Sequence, residues 1–201
     1  MAKTRIINII DKLTKINYGI WNAAINTSDI LYKDYEIVTE LWSFYVEYDL
    51  NINYNIAKYI QTNKVKDIIN LFQLNIEKDI IITHGSWRKP TKLGYQLRLL
   101  GFHWIYVPHG MLEPWSIKQK MFKKKLYFHL FEKYYVSKAS YIRAVGEKEM
   151  NHLKILFPNL CKRIICISNG VPVDTEITKE YNFPIKILFL GRLHNKKVHQ
   201  N

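Results

Sequence analysis

Cysteine is nearly absent. Cys161 and Cys166 are the only two among 201 residues. Their spacing fits no common zinc pattern, and two thiols do not make a disulfide framework. The expectation is free thiols, buried or half-buried, in a reducing compartment. Long apolar runs are missing as well. No stretch approaches the roughly 20 apolar residues of a membrane span. The first apolar run is interrupted by Asn8 and stopped by Asp11, too soon for a signal peptide. These absences point to a cytoplasmic protein, lying at most on the inner face of a membrane. There is no G-x-G-x-x-G dinucleotide fingerprint, no internal repeat and no low-complexity tract. His103, His129, His152 and His199 are scattered with no carboxylate at ligand spacing, so no metal site is expected. The basic residues carry neither an RNA-recognition nor a helix-turn-helix signature, so no specific nucleic-acid partner is expected.

Acidic residues are scarce and unevenly placed. Lys and Arg number 30 against 17 Asp and Glu, a formal net charge of +13. Residues 1–50 carry 5 basic and 7 acidic side chains, so the remaining 25 basic and 10 acidic fall on residues 51–201. A surface of that kind draws phosphates, anionic lipid or nucleic acid non-specifically. What is abundant is apolar: 48% of residues, the composition of a folded domain.

Short β-rich runs alternate with helical spacing. Strands are expected at Arg5–Ile10, Tyr35–Thr39, Asp79–Thr83, Trp104–Val107, Tyr141–Val145, Arg163–Ile167 and Ile185–Leu190. Helices are expected at Trp21–Leu31, Ile56–Asn75, Thr91–Leu100, Lys118–Ser137 and from Glu147 onward. Such alternation implies right-handed βαβ units and an α/β fold, a doubly wound parallel sheet covered on both faces. Ligands of such sheets bind beyond the carboxyl ends of the strands. That puts Gly19, His84 and His109 on one rim.

Three loops leave that rim. Gly19 precedes a helix, where backbone amides can approach an anionic oxygen; it also reads as a plain turn. Thr83-His-Gly-Ser-Trp87 and Pro108-His-Gly-Met-Leu-Glu-Pro-Trp115 each place His before Gly after an apolar strand. An imidazole can hydrogen-bond a sugar hydroxyl, and Trp87 and Trp115 offer flat faces for a sugar ring. Equally, each His could cap local backbone and each Trp fill core. In the helix from Lys118, Leu126, Leu130 and Tyr134 recur every four residues and are expected to face the core. Lys118, Lys120, Lys123, Lys124 and Lys125 oppose the helix dipole. They form either a solvated face or a contact with lipid phosphate on an anionic membrane.

From His84 onward the motifs become specific. His84-Gly-Ser-Trp87, Val107-Pro-His-Gly-Met-Leu-Glu-Pro-Trp-Ser116 and the lysines from Lys118 to Lys125 resemble glycosyltransferase family 4, in its envelope-polysaccharide branch. Ser168-Asn-Gly-Val-Pro-Val-Asp174 looks like that family's connection between domains. Leu188-Phe-Leu-Gly-Arg-Leu-His-Asn-Lys-Lys197 looks like the start of its second domain. Residues 1–78 match only in their alternation of elements. The resemblance implies a GT-B architecture of two Rossmann-like domains. Residues 1–175 would be the acceptor-side domain, and 176–201 the linker and truncated start of the donor-binding domain. It implies retaining transfer of a sugar from a nucleotide-diphosphate donor to a cell-envelope polysaccharide or lipid-linked acceptor, without metal or other cofactor. His109 would sit beside the donor sugar as the catalytic-site residue. Gly19, Gly110, Arg192 and Lys197 would hold the donor. His84, Trp87 and Trp115 would line the acceptor side.

The family pattern continues beyond Lys197 with a nucleotide-binding domain, whereas this sequence ends at Asn201. The expectation is therefore a fragment inactive by itself. Two alternatives stand beside it. One is half of a split glycosyltransferase completed by a second chain. The other is a non-catalytic basic module for anionic membrane or nucleic acid.

Overall fold

A computed structural model describes residues 4–48, 50, 56–118 and 121–170, with no account of the Met121 side chain. All of them fall in one unit, Met1–Val171. Seven parallel strands form a single sheet. In chain order they are β1 (Arg5–Ile10), β2 (Val38–Ser43), β3 (Ala57–Tyr59), β4 (Asp79–His84), β5 (His103–Val107), β6 (Tyr141–Ala144) and β7 (Ile164–Cys166). Their spatial order is β3-β2-β1-β4-β5-β6-β7. The chain winds outward one way from β1 and the other way from β4, the doubly wound Rossmann-like arrangement. The direction reverses between β1 and β4, and ligands of such sheets bind at that crevice. The register there brings Ile10 beside His84, and His84 beside Val107.

The helices are α1 (Tyr18–Ile25), α2 (Ser28–Tyr35), α3 (Val65–Phe72), α4 (Lys89–Leu99), α5 (Pro114–Lys118), α6 (Met121–Tyr127), α7 (Lys133–Ser137) and α8 (Glu147–Leu156). A π-turn, Phe128–Glu132, joins α6 to α7. Strand alternation divides the core. Ile7, Ile9 and Ile81 pack with Trp104, Leu97 and Phe102, while Ile10 packs with Leu41 and Trp21. Both faces of the sheet are therefore covered, as its near-continuous apolar strands require. One contact is especially close. A Cβ on Gly94 of α4 would lie 2.3 Å from Trp104 Nε1, which donates to Thr83 Oγ1 at 2.8 Å. The missing side chain lets α4 lie down on β4 and β5.

β4, α4, β5, β6 and α8 lie within a residue or two of their expected places. Four expectations fail. Trp21–Leu31 is two helices, broken after Ile25. β2 begins at Val38 and not Tyr35, because α2 runs on to Tyr35 and closes at Glu36 in the left-handed conformation, φ 55°. Ile56–Asn75 is not one helix. Its first part pairs with β2 as β3, and Ile60 N–H donates to Ser43 at 2.8 Å. Thr62 Oγ1 then accepts from Lys64 N–H and turns the chain into α3.

The fourth is the inward face of α6–α7. Leu126, Leu130 and Tyr134 are exposed, and Phe128, Glu132 and Val136 are buried in their stead. Both triplets have a four-residue repeat, so spacing alone could not choose between them. The thiols also depart from expectation: Cys161 and Cys166 are free but exposed. The expected strand Ile185–Leu190 lies outside the described residues. Among the described residues, no helix is long and apolar enough to cross a membrane.

Candidate functional site

β4 ends in His84, which is only 4% exposed. Its two ring nitrogens face different partners. Nε2 lies 2.9 Å from Asn8 Oδ1 on β1, and Nδ1 lies 2.8 Å from His109 Nε2 in the loop after β5. The two rings stack, centroids 5.2 Å apart and planes inclined by 22°. The Asn8 amide sets the direction of the chain. Its Nδ2 donates to the Glu40 carbonyl at 3.4 Å, which leaves Oδ1 as the acceptor facing His84. His84 therefore carries its proton on Nε2, and its bare Nδ1 accepts from His109 Nε2–H. The Nδ1 of His109 is left as a lone-pair acceptor.

This order requires both rings to be neutral. Burial pushes His109 down to about 4, and Arg143 on β6 adds to the shift. His84 is driven well below its ordinary value, first by burial and then by His109 and Arg143. Burial disfavours a charged ring here, and the nearby Arg143 cation disfavours it further. The pair is built to accept and relay hydrogen bonds, not to carry charge.

Backbone geometry holds the loops open. His109 and Gly110 are both left-handed, at φ 52° and 72°, and Gly85 and Trp87 lie at φ 85° and 68°. Left-handed Trp and His are uncommon and persist only where their surroundings impose them. Two buried carboxylates do so. Glu149, in the first turn of α8, accepts from Gly110 N–H through Oε1 and from Val145 N–H through Oε2. It ties the Pro-His-Gly loop to the loop after β6. Glu132, fully buried in the π-turn, accepts through Oε1 from Trp87 N–H at 3.2 Å, Thr91 Oγ1 at 3.1 Å and Tyr106 O–H at 3.1 Å. With its proton given to Glu132, the Tyr106 hydroxyl accepts from Ser86 Oγ at 2.6 Å. Burial raises Glu132 to about 7 despite these three bonds, and burial together with Glu132 raises Tyr106.

The structure thus joins His84 and His109 directly and sets Trp87 on the same loop as His84. Gly19 lies in the first turn of α1, where a Cβ would meet nothing within 4 Å. Gly110 N–H is engaged by Glu149. Trp115 is half-buried, its Nε1 donating to Glu113 Oε2 at 2.8 Å. Lys118, Lys123 and Lys125 are exposed. Lys124 instead reaches inward: its Nζ donates to the Ser116 carbonyl at 2.7 Å and lies 6.0 Å from the centre of the Trp87 ring. Lys120, Arg192 and Lys197 lie outside the described residues. Among the described residues, no cluster of three His, Cys, Asp or Glu side chains could hold a metal ion.

Asn8, Glu132, Glu149 and Tyr106 are the parts that sequence reasoning missed. Three carried a signal. Asn8 is polar inside Ile-Ile-Asn-Ile-Ile, and Glu132 is the only acid between Lys118 and Ser137. Glu149 looks like a dipole-favoured residue of a first helical turn, but its carboxylate is used to clamp a loop. Tyr106 gave none.

No protein-family model and no curated protein matches the chain. Solved structures do. The chain is similar to a crystal structure of a putative UDP-N-acetylglucosamine 2-epimerase from Listeria monocytogenes, with TM-score 0.55 and 12% identity over 81% of this chain. It is also similar to S. aureus MnaA in a co-structure with UDP, at TM-score 0.51 and 12% identity over 83% of the chain. A third likeness is to UDP-GlcNAc 2-epimerase from Neisseria meningitidis bound to UDP-GlcNAc, at TM-score 0.50 and 10% identity over 83%. The chain spans only 44%, 44% and 46% of those three chains, respectively. At such identities the likeness establishes the fold alone, a Rossmann-like α/β domain that matches under half of each of those chains.

Proposed function

We propose that this domain is the acceptor-side half of a nucleotide-sugar glycosyltransferase, and that His109 contacts the donor sugar. The observation that carries the reading is the His84–His109 pair at the sheet's reversal point, with a bare Nδ1 fixed by the relay from Asn8. A neutral imidazole acceptor suits a sugar hydroxyl better than a diphosphate, which calls for cations and amide donors. In the transfer, the anomeric C–O bond to the nucleoside diphosphate breaks and one to the acceptor oxygen forms. The acceptor's hydroxyl proton leaves with the diphosphate. Arg192, Lys197 and Gly19 are proposed for the diphosphate, and the complete reaction is proposed for a two-domain assembly.

The test is saturation-transfer NMR of the chain with millimolar uridine, guanosine and adenosine diphosphate sugars. Sugar protons should receive more saturation than ribose and base protons, and His109→Ala should abolish the difference. Saturation confined to the nucleotide, or unchanged by His109→Ala, contradicts the proposal. A second reading, epimerisation of the donor sugar, is favoured by the solved structures that the chain resembles. It needs no acceptor, so epimer formation from the nucleotide sugar alone would select it.

We also propose that the α6–α7 face rests on an anionic bilayer. Phe122, Leu126, Leu130 and Tyr134, 84%, 62%, 58% and 52% exposed, make an apolar stripe flanked by exposed Lys118, Lys123 and Lys125. An apolar face beside lysines suits insertion at a headgroup boundary. Co-sedimentation with anionic vesicles should fall when Leu126 and Leu130 become Ser, and again when Lys123 and Lys125 become Gln. Equal sedimentation of all variants, or equal binding to neutral vesicles, overturns it.

A further inference from the structure

A cleft of about 420 Å³ opens among the loops that leave the carboxyl ends of the strands. Its walls come from segments that follow β1, β2 and β4 and from the first turn of α4. It therefore shares its supporting strands with Asn8 and His84. Four cationic side chains line it, Lys12, Arg88, Lys89 and Lys92, against one acid, Asp11. Asp11 lies 3.6 Å from Arg88, which leaves three lysines in excess. Two of them are held along aromatic rings: Lys89 Nζ is 5.2 Å from the centre of the Phe44 ring, and Lys12 Nζ is 5.4 Å from that of Tyr45. A recess lined by one sign of charge focuses potential and draws in a counter-ion.

The other wall is aromatic. Trp87 and Tyr127 line the cleft, their ring centroids 6.3 Å apart. Trp87 is held left-handed at φ 68° by its N–H bond to Glu132. Its indole Nε1 is buried with no acceptor among the described residues. That N–H is turned away from solvent, so Trp87 meets the cleft with its ring and not with its donor.

We propose that this cleft binds a sugar ring carrying an anionic group, a phosphate or a carboxylate, as the acceptor of the transfer. The lysines neutralise the anion, and the aromatic side chains of Trp87 and Tyr127 take the ring. A neutral ring would leave the lysines crowded and unmatched, and a bare anion would leave the aromatic wall unused. The proposal rests on reading this rim as a sugar-binding rim. It deepens that reading by naming the acceptor's class.

The test is titration of the chain with glucose 1-phosphate, glucuronate, glucose and inorganic phosphate, followed by ¹⁵N–¹H NMR of the indole N–H groups. Glucose 1-phosphate, glucuronate or both should shift the Trp87 signal, at least tenfold more tightly than glucose or inorganic phosphate. The double variant Lys89→Gln, Lys92→Gln should lose at least tenfold in that affinity while keeping the indole spectrum of the free chain. Binding of glucose 1-phosphate alone assigns a phosphate, and of glucuronate alone a carboxylate. Inorganic phosphate binding as tightly as the sugar phosphate reduces the cleft to a simple anion site and overturns the proposal. So does binding as tight to glucose, an unmoved Trp87 signal, or an affinity indifferent to the lysines. No nucleotide is present, so failure here leaves the donor-sugar reading of His109 to be judged by its own test.

Discussion

Two loops of this protein look alike in sequence and differ in what they can do. His84-Gly85 and His109-Gly110 each follow an apolar parallel strand, and each glycine is left-handed. Yet among the described residues His84 has partners on both ring nitrogens, and His109 on one. The difference comes from position in the sheet. β4 lies between β1 and β5, so a histidine at its end meets Asn8 on one side and the β5 loop on the other. The loop after β5 turns away, anchored by Glu149. The inner histidine fixes a tautomer and the outer one presents it. Two identical side chains thus become a support and, on the proposed reading, a contact.

The largest expected effect separates these roles. His84→Ala leaves a cavity and strips Asn8 Oδ1 of its donor, and should destabilise the chain by about 3 kcal/mol. His109→Ala leaves His84 Nδ1 without its donor but removes a half-buried side chain at the rim, and should cost about 1.5 kcal/mol. Urea unfolding of both variants checks this, and equal losses would erase the distinction. Gly94→Ala comes next. The new methyl would displace Trp104 from Thr83, the residue before His84, at a cost of about 2 kcal/mol, with both loops disturbed together. If the variant keeps the parent's stability and ring spectra, the close packing of α4 does not support the pair.

Acid sharpens the comparison further. His109 falls from its ordinary 6.5 to about 4 on folding. Between those values the unfolded chain takes up a proton that the native chain refuses, so stability falls as pH drops through that window. His84 acts in the same direction. His109→Ala should therefore remove only part of the acid-side loss. Glu132 has the opposite sign, rising from 4.5 to about 7. Between those values the native carboxyl keeps a proton that the unfolded one releases, so stability falls as pH rises through the window. Glu132→Gln should flatten that fall and leave the histidine-driven loss intact. Urea midpoints across pH 4 to 8 read both effects. An unchanged profile in either variant removes that group from the account.

The smallest effect concerns Arg143, whose guanidinium bonds the carbonyls of Ile167 and Ser168. Arg143→Gln should let the histidines titrate slightly higher, because a cation near them disfavours a second charge. An NMR titration would detect it. A downward shift would contradict the cause assigned to the depressed values.

How much of this was legible depended on locality. The region from β4 to β5 could be read because apolar strand, His-Gly loop and a helix stopped by Gly101 follow one another along the chain. The rim placement of His84 and His109 follows from parallel topology alone, whereas Gly19, expected in a loop, lies inside α1. The contact between His84 and His109 does not, since it depends on the register of three strands from distant parts of the chain. The β2–β3 edge was misread because Ile56 to Phe72 carries apolar residues that satisfy a helical period, while the Leu41–Ser43 edge captures Ala57–Tyr59 as a strand. The face of α6–α7 was ambiguous because Phe128, Glu132 and Val136 repeat as regularly as Leu126, Leu130 and Tyr134. Trp87, Thr91 and Tyr106, from elsewhere in the fold, supply the donors that make burial of a glutamate acceptable.

The most direct measurement is ¹⁵N NMR of the histidine rings at neutral pH, before and during addition of a millimolar nucleotide sugar. The account predicts both histidines neutral and protonated on Nε2 in the free chain. On addition, His109 Nδ1 should move as it accepts a hydrogen bond from a sugar hydroxyl while His84 stays unchanged. A proton already on His109 Nδ1, a charged ring, or a His109 Nδ1 signal indifferent to saturating ligand would contradict it.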